Sequence, residues 1–517
     1  MGFVVLDAYV LDDSPESSVI TDVVAVEEAA IFDREITQTS ADEKSIAVLP
    51  LVNLSSDPEQ EYFSDGLSEE LINKLSQIRE LQVTGRNSSF SFKGRDTELR
   101  DIGTTLGVAS ILQGSVRKSG DQLRITVQLM DASEGFNLWS QTYDRQMTDI
   151  FVIQDEIATA VATALSVSLG AGEFDRPGMT RDVQAYELSL IALGQMNELT
   201  PAAIRAAIAN AERAVTLDPG YAEGWNMLSQ FYSLGRRFLP VSEQLVDTVA
   251  KEANAREQAE LLAPDNLQVR LGNASALRRS TDWLGANTVY EELLADASNS
   301  SAEFNNAYAS FLLNTGRSLE ALTFAQRAKR LDPLEPNYSA GLINNLAQLD
   351  RVDDAAEEAA YGMSLGGLEA PINASLSILY MEHGNWDAAR AASAYIIANK
   401  DLQLHLLPYL EAGDYQTGLQ EIRRYLGSDE VIPTNYRHME AFAALMGDPA
   451  LALEMMQSTQ RLPAGDIWRN LYSPVRKLPG FKQLVIDMGM ANLWRTTGNW
   501  PDKCRPLPNS DTDFECF

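Results

Sequence analysis

The sequence predicts an α/β amino-terminal domain, a mixed sheet with packed helices, followed by an all-α solenoid of helix–turn–helix repeats. Three observations carry this. A small polar turn residue, usually glycine, recurs at Gly316, Asp350, Gly384, Gly413 and Gly447, in steps of 34, 34, 29 and 34 residues. Each sits in a similar phrase: TGRSLEAL, LDRVDDAA, HGNWDAAR, AGDYQTGL and MGDPALAL. A period near 34 with an alanine-rich stretch after a tight turn marks stacked helix pairs. Residues 45–170 instead run strand, helix, strand, helix and hairpin, the order of a mixed sheet with helices packed on it. Hydrophobic residues make up 45% of the 517 residues, which places the chain among folding sequences.

The first 44 residues stand apart. MGFVVLDAYVLDD, residues 1–13, begins apolar without a basic region or cleavage site, so it does not read as a signal peptide. It reads either as a short strand or helix of the fold, or as the end of a transmembrane helix that begins upstream. The sequence has no apolar run of 18 residues to span a bilayer by itself. Residues 14–44 are acidic and Ser/Thr-dotted, with one amphipathic helix in VITDVVAVEEAAIF, and are expected to form a linker or stalk.

Within 45–170, SIAVLPLVNL is rich in β-formers and is predicted to be a buried strand. DPEQEYFSDGLSEELINKLSQI follows as a helix with Phe63, Leu67, Leu71, Ile72 and Leu75 on one face. LQVTGRNSSFSF is predicted as a second strand region, and ELRDIGTTLG as a short helix closed by Gly107. ASILQGSVRKSGDQLRITVQLMDAS reads as a hairpin around Ser119, Gly120 and Asp121. NLWSQTYDRQ is a further strand, and DIFVIQDEIATAVATALSVSL a helix with Phe151, Ile153, Ile157, Val161 and Leu165 as its stripe.

Residues 171–181 form a Gly/Pro linker, and 182–470 read as helical repeats. Ala207, Ala211, Ala214 and Pro219 recur as Ala321, Ala325, Ala328 and Pro333. Small residues at these places let paired helices approach, and the proline stops the second helix. About 11 extra residues near RRFLPVSEQLV interrupt the period and are expected to loop out. Residues 471–517 are expected to hold a capping helix and an irregular tail. The tail carries Cys504 and Cys516, the only cysteines, a close pair that favours a stapling disulfide worth ~3 kcal/mol. That bond implies an oxidising compartment; the alternative is two free thiols in a soluble cytoplasmic chain.

The repeat phrases resemble tetratricopeptide repeats. Residues 45–170 resemble the TolB-like (FlgO-like) amino-terminal domain found in bacterial membrane-anchored regulators and adenylyl-cyclase-like proteins. The phrases that carry the resemblance are SIAVLPLVNLSSDPEQEYFSDGLSEEL, SSFSFKGRD, LGVASILQGSVRKSGDQLRITVQLMDA, LWSQTYDR and IFVIQDEIA, and WRTTGNWPDKC in the tail is similar to the ends of such fusions. The resemblance implies a cytosolic winged-helix or cyclase output domain, one membrane span, then this domain and the repeats in the periplasm, tethered to the inner membrane.

Chemistry is weakly written. No phosphate-loop spacing occurs. Asp57, Glu59, Glu61 and Asp65 crowd one helix start, where acids serve its positive end. Ser64, Asp65 and Gly66 read as a cap or turn, and Arg86 and Arg117 as surface partners of acids. Trp139 and Tyr143 share one strand face and read as core or interface rather than a cofactor box. His383, His405 and His438 lie in separate repeats and suit neither a triad nor zinc. No metal, cofactor or catalytic constellation is expected. A net charge of −32 opposes nucleic acid.

The expected function is therefore a non-enzymatic scaffold that binds a protein or peptide, with the sensory half of a membrane-spanning regulator as the alternative. Stacked repeats also allow a homo-oligomer. Partner-facing candidates on the first helices of the repeats are Asn226, Tyr232, Asn305, Asn306, Tyr308, Asn344 and Asn345.

Overall fold

The computed structural model describes residues 43–57, 60–78, 80–167, 178–196, 200–239, 248–295, 301–366, 369–395, 400–427, 438–458, 465–508, 510 and 513–517. The readings for residues 1–13 and for nearly all of 14–44 lie outside this set, as do Glu59, most of the 171–181 linker and most of the predicted insertion.

Ser45–Val48 (β1) alternates as a buried strand must. Ile46 and Val48 enter the main core, while Ala47 meets Ile102, Leu106 and Ile111 on the opposite face. Pro50 supplies no N–H, and the predicted single strand resumes only as Val52–Asn53 (β2). The freed N–H of Leu51 donates to Ser68 Oγ at 2.9 Å. Ser68 lies on Glu61–Leu75 (α1), which covers the main-core face with Phe63, Leu67 and Leu71 fully buried. Ser64, Asp65 and Gly66 are inside this helix, so their predicted turn or cap role is not what the structure shows.

The second strand region is also corrected. Of this region only Gln82–Val83 (β3) is a strand, paired with β1, and Arg86–Phe90 (α2) is helical. Leu99–Leu106 (α3) ends at Gly107, whose φ of 66° is the left-handed conformation that glycine adopts without a Cβ clash. Ser110–Ser119 (β4) and Gln122–Asp131 (β5) form the predicted hairpin with Ser119 opposite Gln122, and Asn137–Gln146 (β6) adds the edge. The strand order is β3-β1-β4-β5-β6, with β2 beside β4. Parallel pairs surround β1 and antiparallel pairs lie beyond β4, a mixed sheet. Ile150–Ala164 (α4) packs beside α1 through Ile153, Ile157 and Val161, over buried Tyr143 and half-buried Trp139 of β6.

The repeats follow as eight helical hairpins among the described residues. They pair Val183–Met196 (α5) with Pro201–Leu217 (α6), and Ala222–Phe238 (α7) with Thr248–Leu262 (α8). Leu267–Arg279 (α9) pairs with Trp283–Ala295 (α10), and Ala302–Asn314 (α11) with Ser318–Leu331 (α12). Pro336–Gln348 (α13) pairs with Val352–Ser364 (α14), and Glu369–Glu382 (α15) with Trp386–Ser393 (α16). Lys400–Glu411 (α17) pairs with Tyr415–Leu426 (α18), and Met439–Leu445 (α19) with Pro449–Ser458 (α20). The architecture is a solenoid of helical hairpins joined to an α/β unit.

The 34-residue beat has a geometric cause. Gly316, Asp350, Gly384, Gly413 and Gly447 all have φ between 63° and 86°, closing the turn inside five of these hairpins. Thr281 does the same at φ 63°, a beat hidden in the sequence because its residue is neither glycine nor aspartate. Five residues after each turn comes a small buried residue: Ala286, Ala321, Ala355, Ala389, Gly418 or Ala452. The left-handed turn folds the second helix back, and the small side chain lets it seat against the first.

The tail does more than cap the last hairpin. Ser473–Arg476 (α21), Pro479–Asp487 (α22) and Met490–Thr497 (α23) continue from α20. They then pack back on the middle of the array, where Trp283 Nε1 donates to Met488 O at 2.8 Å. Trp468 Nε1 donates to Asn314 O at 3.0 Å, and Asp502 N to Gly316 O at 2.8 Å. Trp468 and Trp494 are buried at the centre of this closure. Cys504–Pro506 (β7) and Phe514–Cys516 (β8) form a small ladder in which Cys504 lies opposite Cys516, and their sulfurs are bonded.

Candidate functional site

Two contacts fix the α/β unit on the solenoid. The first is α5, which serves both cores. Tyr186 and Leu190 complete the α/β core, while Ala192 and Met196 pack with α6 and α7. Tyr186 stacks edge-on to Phe151, and its hydroxyl accepts from Gln154 Nε2 at 3.0 Å. Burial raises the Tyr186 pKa well above its usual value, so it stays a neutral phenol.

The second contact comes from the junction between α12 and α13. Gly85 N donates to Leu331 O at 3.0 Å, Ser88 N to Asp332 Oδ1 at 2.8 Å, and Leu334 N to Ser88 Oγ at 2.7 Å. Asn87 Nδ2 donates to Glu335. The Asp332 carboxylate thus binds a free N–H in the first turn of α2, the place where a helix start accepts an anion. This explains why NSSF is helical although its sequence reads as extended. Burial pushes Asp332 up to about 6 against the pull of its Ser88 bonds, and Glu335 and Glu303 raise it further. Gly85 allows the approach, because a Cβ there would lie 2.2 Å from Asp332 Oδ2.

Beside this joint a cavity of about 880 Å³ opens between α11 and α13. Its wall includes Asn87 from the α/β unit, Arg278 at the end of α9, Glu303 and Asn306 on α11, and Glu335, Asn337, Tyr338, Asn344 and Asn345 around α13. Glu335 caps α13, accepting from Asn337 N at 2.9 Å. Glu303 is solvent-exposed, yet the protein packed around it partly desolvates its carboxyl. That desolvation raises its pKa, opposed by the bond from Gln268 Nε2 at 3.0 Å and reinforced by Glu69 of α1. The buried Tyr338 phenol is raised by burial and then by Glu303, Asp332 and Glu335. These side chains can hold a polar ligand by exchanging hydrogen bonds. Among the described residues no group of three or more potential metal ligands converges anywhere.

Of the seven candidates read from the sequence, Asn306, Asn344 and Asn345 line the cavity. The other four are corrected to internal roles. Asn226 Nδ2 donates to Gln268 O at 3.1 Å, and Asn305 Nδ2 to Ser301 O at 2.8 Å, both from buried side chains. Tyr232 is buried, with its hydroxyl on Glu212 at 2.5 Å. Tyr308 is fully enclosed by Tyr290, Phe304, Phe311 and Phe324. Sequence reasoning missed Asn87, Arg278, Glu303, Glu335, Asn337 and Tyr338. The LDPLEPNY phrase could have pointed to Glu335 and Asn337, since it marks a junction between repeats. Nothing local marks Asn87.

The remaining motifs are structural. Glu61 and Asp65 pair with Lys93 at 2.8 and 2.6 Å. Asp57 Oδ2 accepts from Gln60 at 3.3 Å. Arg86 pairs with Glu69 at 2.8 Å and lies over Phe90, while Arg117 donates to Leu54 O at 3.2 Å rather than to an acid. His383 and His405 bind Asp350 and Glu421 at 2.6 and 3.3 Å, and His438 is buried at the start of α19.

No family profile matches this chain. Over 190 residues it is 42% identical to a protein named putative adenylate cyclase 3 from Rhizobium meliloti (strain 1021), a match covering 36% of this chain and 32% of the relative. The chain thus spans about a third of that relative's length. Among solved structures it is similar to a chain of the APC/C hetero-tetramer Cut9-Hcn1, at 13% identity and a TM-score of 0.30, covering 68% of this chain and 78% of that one.

Proposed function

We propose that this chain is a non-enzymatic interaction module that receives an extended protein or peptide segment in the cavity between α11, α13 and the α/β unit. The carrying observation is the cavity wall, which gathers the carboxamides of Asn87, Asn306, Asn337, Asn344 and Asn345. A carboxamide both donates and accepts, as a peptide main chain does, so it can replace the water a bound backbone loses. A photo-crosslinking residue at Asn344 should trap a partner in the native cells, and the same residue at exposed Val249 of α8 should not. Equal trapping from both positions would refute the assignment.

A second reading rests on the relative named as an adenylate cyclase and on the TolB-like phrases of residues 45–170. In this reading the chain is the sensory half of a membrane-tethered regulator, and occupancy of the cavity reports to an output domain. The bonded Cys504 and Cys516 support an extracytoplasmic, periplasmic placement. Thiol blocking of the native protein before and after reduction tests it. Two thiols that react only after reduction support the placement, and two that react at once refute it.

A further inference from the structure

The two edges of the sheet are finished differently. At one edge β3 is two residues long, and the chain leaving it is held in the joint with α12 and α13. At the other, β6 runs for ten residues, and among the described residues no strand pairs with its far side. The phase of its main chain follows from Met147 N, which donates to Asp121 O at 2.7 Å. In an antiparallel ladder alternate residues turn their N–H and C=O toward the same neighbour. Trp139, Gln141, Tyr143 and Arg145 therefore bond to β5, and Ser140, Thr142 and Asp144 turn theirs outward. The Thr126 and Thr142 hydroxyls at 3.1 Å and the Arg124–Asp144 ion pair at 2.6 Å fit that phase, since side chains lie closest at non-hydrogen-bonded pairs. Proteins blunt such an edge with lysine, proline or an early end. β6 has neither lysine nor proline, and its one acid and one base cancel.

The run open to pairing is set by its ends. A bulge leaves Leu138 out of register, because Leu129 faces Trp139 while Met130 faces Asn137. At the far end Gln146 N donates to Asp149 Oδ2 at 3.3 Å and starts the turn into α4. Between them lie residues 139–145, and their midpoint is Thr142. An antiparallel copy related by a two-fold axis through Thr142 meets this run along its whole length, and any other two-fold shortens the pairing. In that register Thr142 faces its own copy, Ser140 faces Asp144 and Trp139 faces Arg145. Hydroxyl meets hydroxyl or carboxylate, guanidinium meets indole, and no like charges oppose each other. Arg145 Nη1 bends back to Asp144 O at 3.1 Å, filling an acceptor that a neighbouring strand uses. Moving it frees that acceptor and brings the guanidinium to the facing Trp139.

We propose that β6 is a homodimerisation edge: two copies of this chain pair through residues 139–145 about a two-fold axis at Thr142, joining their sheets into one. The occupant is a second copy because the complementarity is that of β6 with itself. The pairing forms about six main-chain hydrogen bonds and covers far less than the roughly 1,600 Å² of a standard interface, so its Kd is on the order of tens of micromolar.

Sedimentation equilibrium of the full chain from about 1 to 300 µM reads the dimer, in about 0.15 M salt, where repulsion between two chains of charge −32 is screened beyond about 8 Å. Thr142→Lys and Thr142→Glu each set like charges opposite one another at the axis and should each raise Kd at least about tenfold. A one-to-one mixture of the two should restore association to the wild-type affinity or tighter, because only a residue on the axis faces its own copy. Thr142 is exposed, so both variants should keep the wild-type melting midpoint. Ser140→Pro deletes an outward N–H without touching the β5 ladder and should give the same loss, which keeps the test open if a charge at 142 unfolds the edge. A chain that stays monomeric up to 300 µM overturns the proposal. So does a dimer that Thr142→Lys leaves intact, and so does loss in both charged variants with no recovery in their mixture.

Discussion

The joint between Asp332 and α2 should respond to pH, and Asp332→Asn isolates the cause. In the docked state the Asp332 carboxyl titrates at about 6 instead of 3.8, chiefly through burial, with Glu335 and Glu303 facing it and the Ser88 hydroxyl and amide bound to it. When the joint opens, the carboxyl returns to its ordinary value. The docked form therefore keeps its proton to higher pH than the open form. Docking is fully favoured below about pH 4, weakens as pH rises to about 6, and stays weaker above it. The difference between the two pKa values corresponds to about 3 kcal/mol, or roughly a hundredfold in the opening equilibrium. The carboxamide of the variant cannot ionise, so that dependence should vanish. The amide keeps one acceptor for Ser88 N but loses the second, at about 1 kcal/mol, so at pH 7.5 the variant should be the more protected by about 2 kcal/mol. Hydrogen exchange of the peptide covering residues 85–91, corrected for intrinsic rates, reads this opening locally and avoids assuming one unfolding transition. Wild-type protection that does not change between pH 4.5 and 7.5, or an Asp332→Asn profile with the same slope as wild type, would refute the reasoning.

Three further outcomes follow from contacts described above. Gly85→Ala sets a Cβ 2.2–2.6 Å from the Asp332 side chain and should weaken the same joint by about 1–3 kcal/mol, seen as faster exchange in residues 85–91 with the melting of the tail unchanged. Thr281 is a β-branched residue at φ 63°, so Thr281→Gly should stabilise the chain by about 1 kcal/mol, measured as a higher thermal midpoint. Arg476 is buried and donates to the carbonyls of Ile467 at 3.0 Å, Arg469 at 2.7 Å and Phe517 at 2.8 Å; burial lowers its pKa to about 10. Arg476→Leu strands those carbonyls and should cost about 3 kcal/mol, read as faster proteolysis of the tail. Its charge persists throughout the neutral range, so wild-type tail protection should be flat from pH 6 to 9.

The helical repeats were legible because their cause is local. Each turn needs a left-handed residue and each second helix a small one five places later, so Gly316 with Ala321 and Gly384 with Ala389 write the period directly into the chain. The β4–β5 hairpin and the stop at Gly107 were legible for the same reason: the conformation is decided within a few residues. Helix faces were harder to read. Neighbouring residues on a helix point about 100° apart, so Asn305 and Asn306 look alike in sequence while one is buried and the other lines the cavity.

By itself, then, the sequence determined the two-part architecture, the helix pairs and the strongly patterned strands, because backbone conformation and hydrophobic period act over short range. Only the tertiary structure decided that Arg86–Phe90 is a helix, since the carboxylate serving its first turn comes from Asp332, 244 residues after Ser88. It alone decided that the tail returns to Trp283 and Gly316, and that Asn87 joins Glu303 and Asn345 around one cavity. Such contacts depend on how successive small rotations between helical hairpins add up. That sum is fixed by packing along the whole array and is written at no single position.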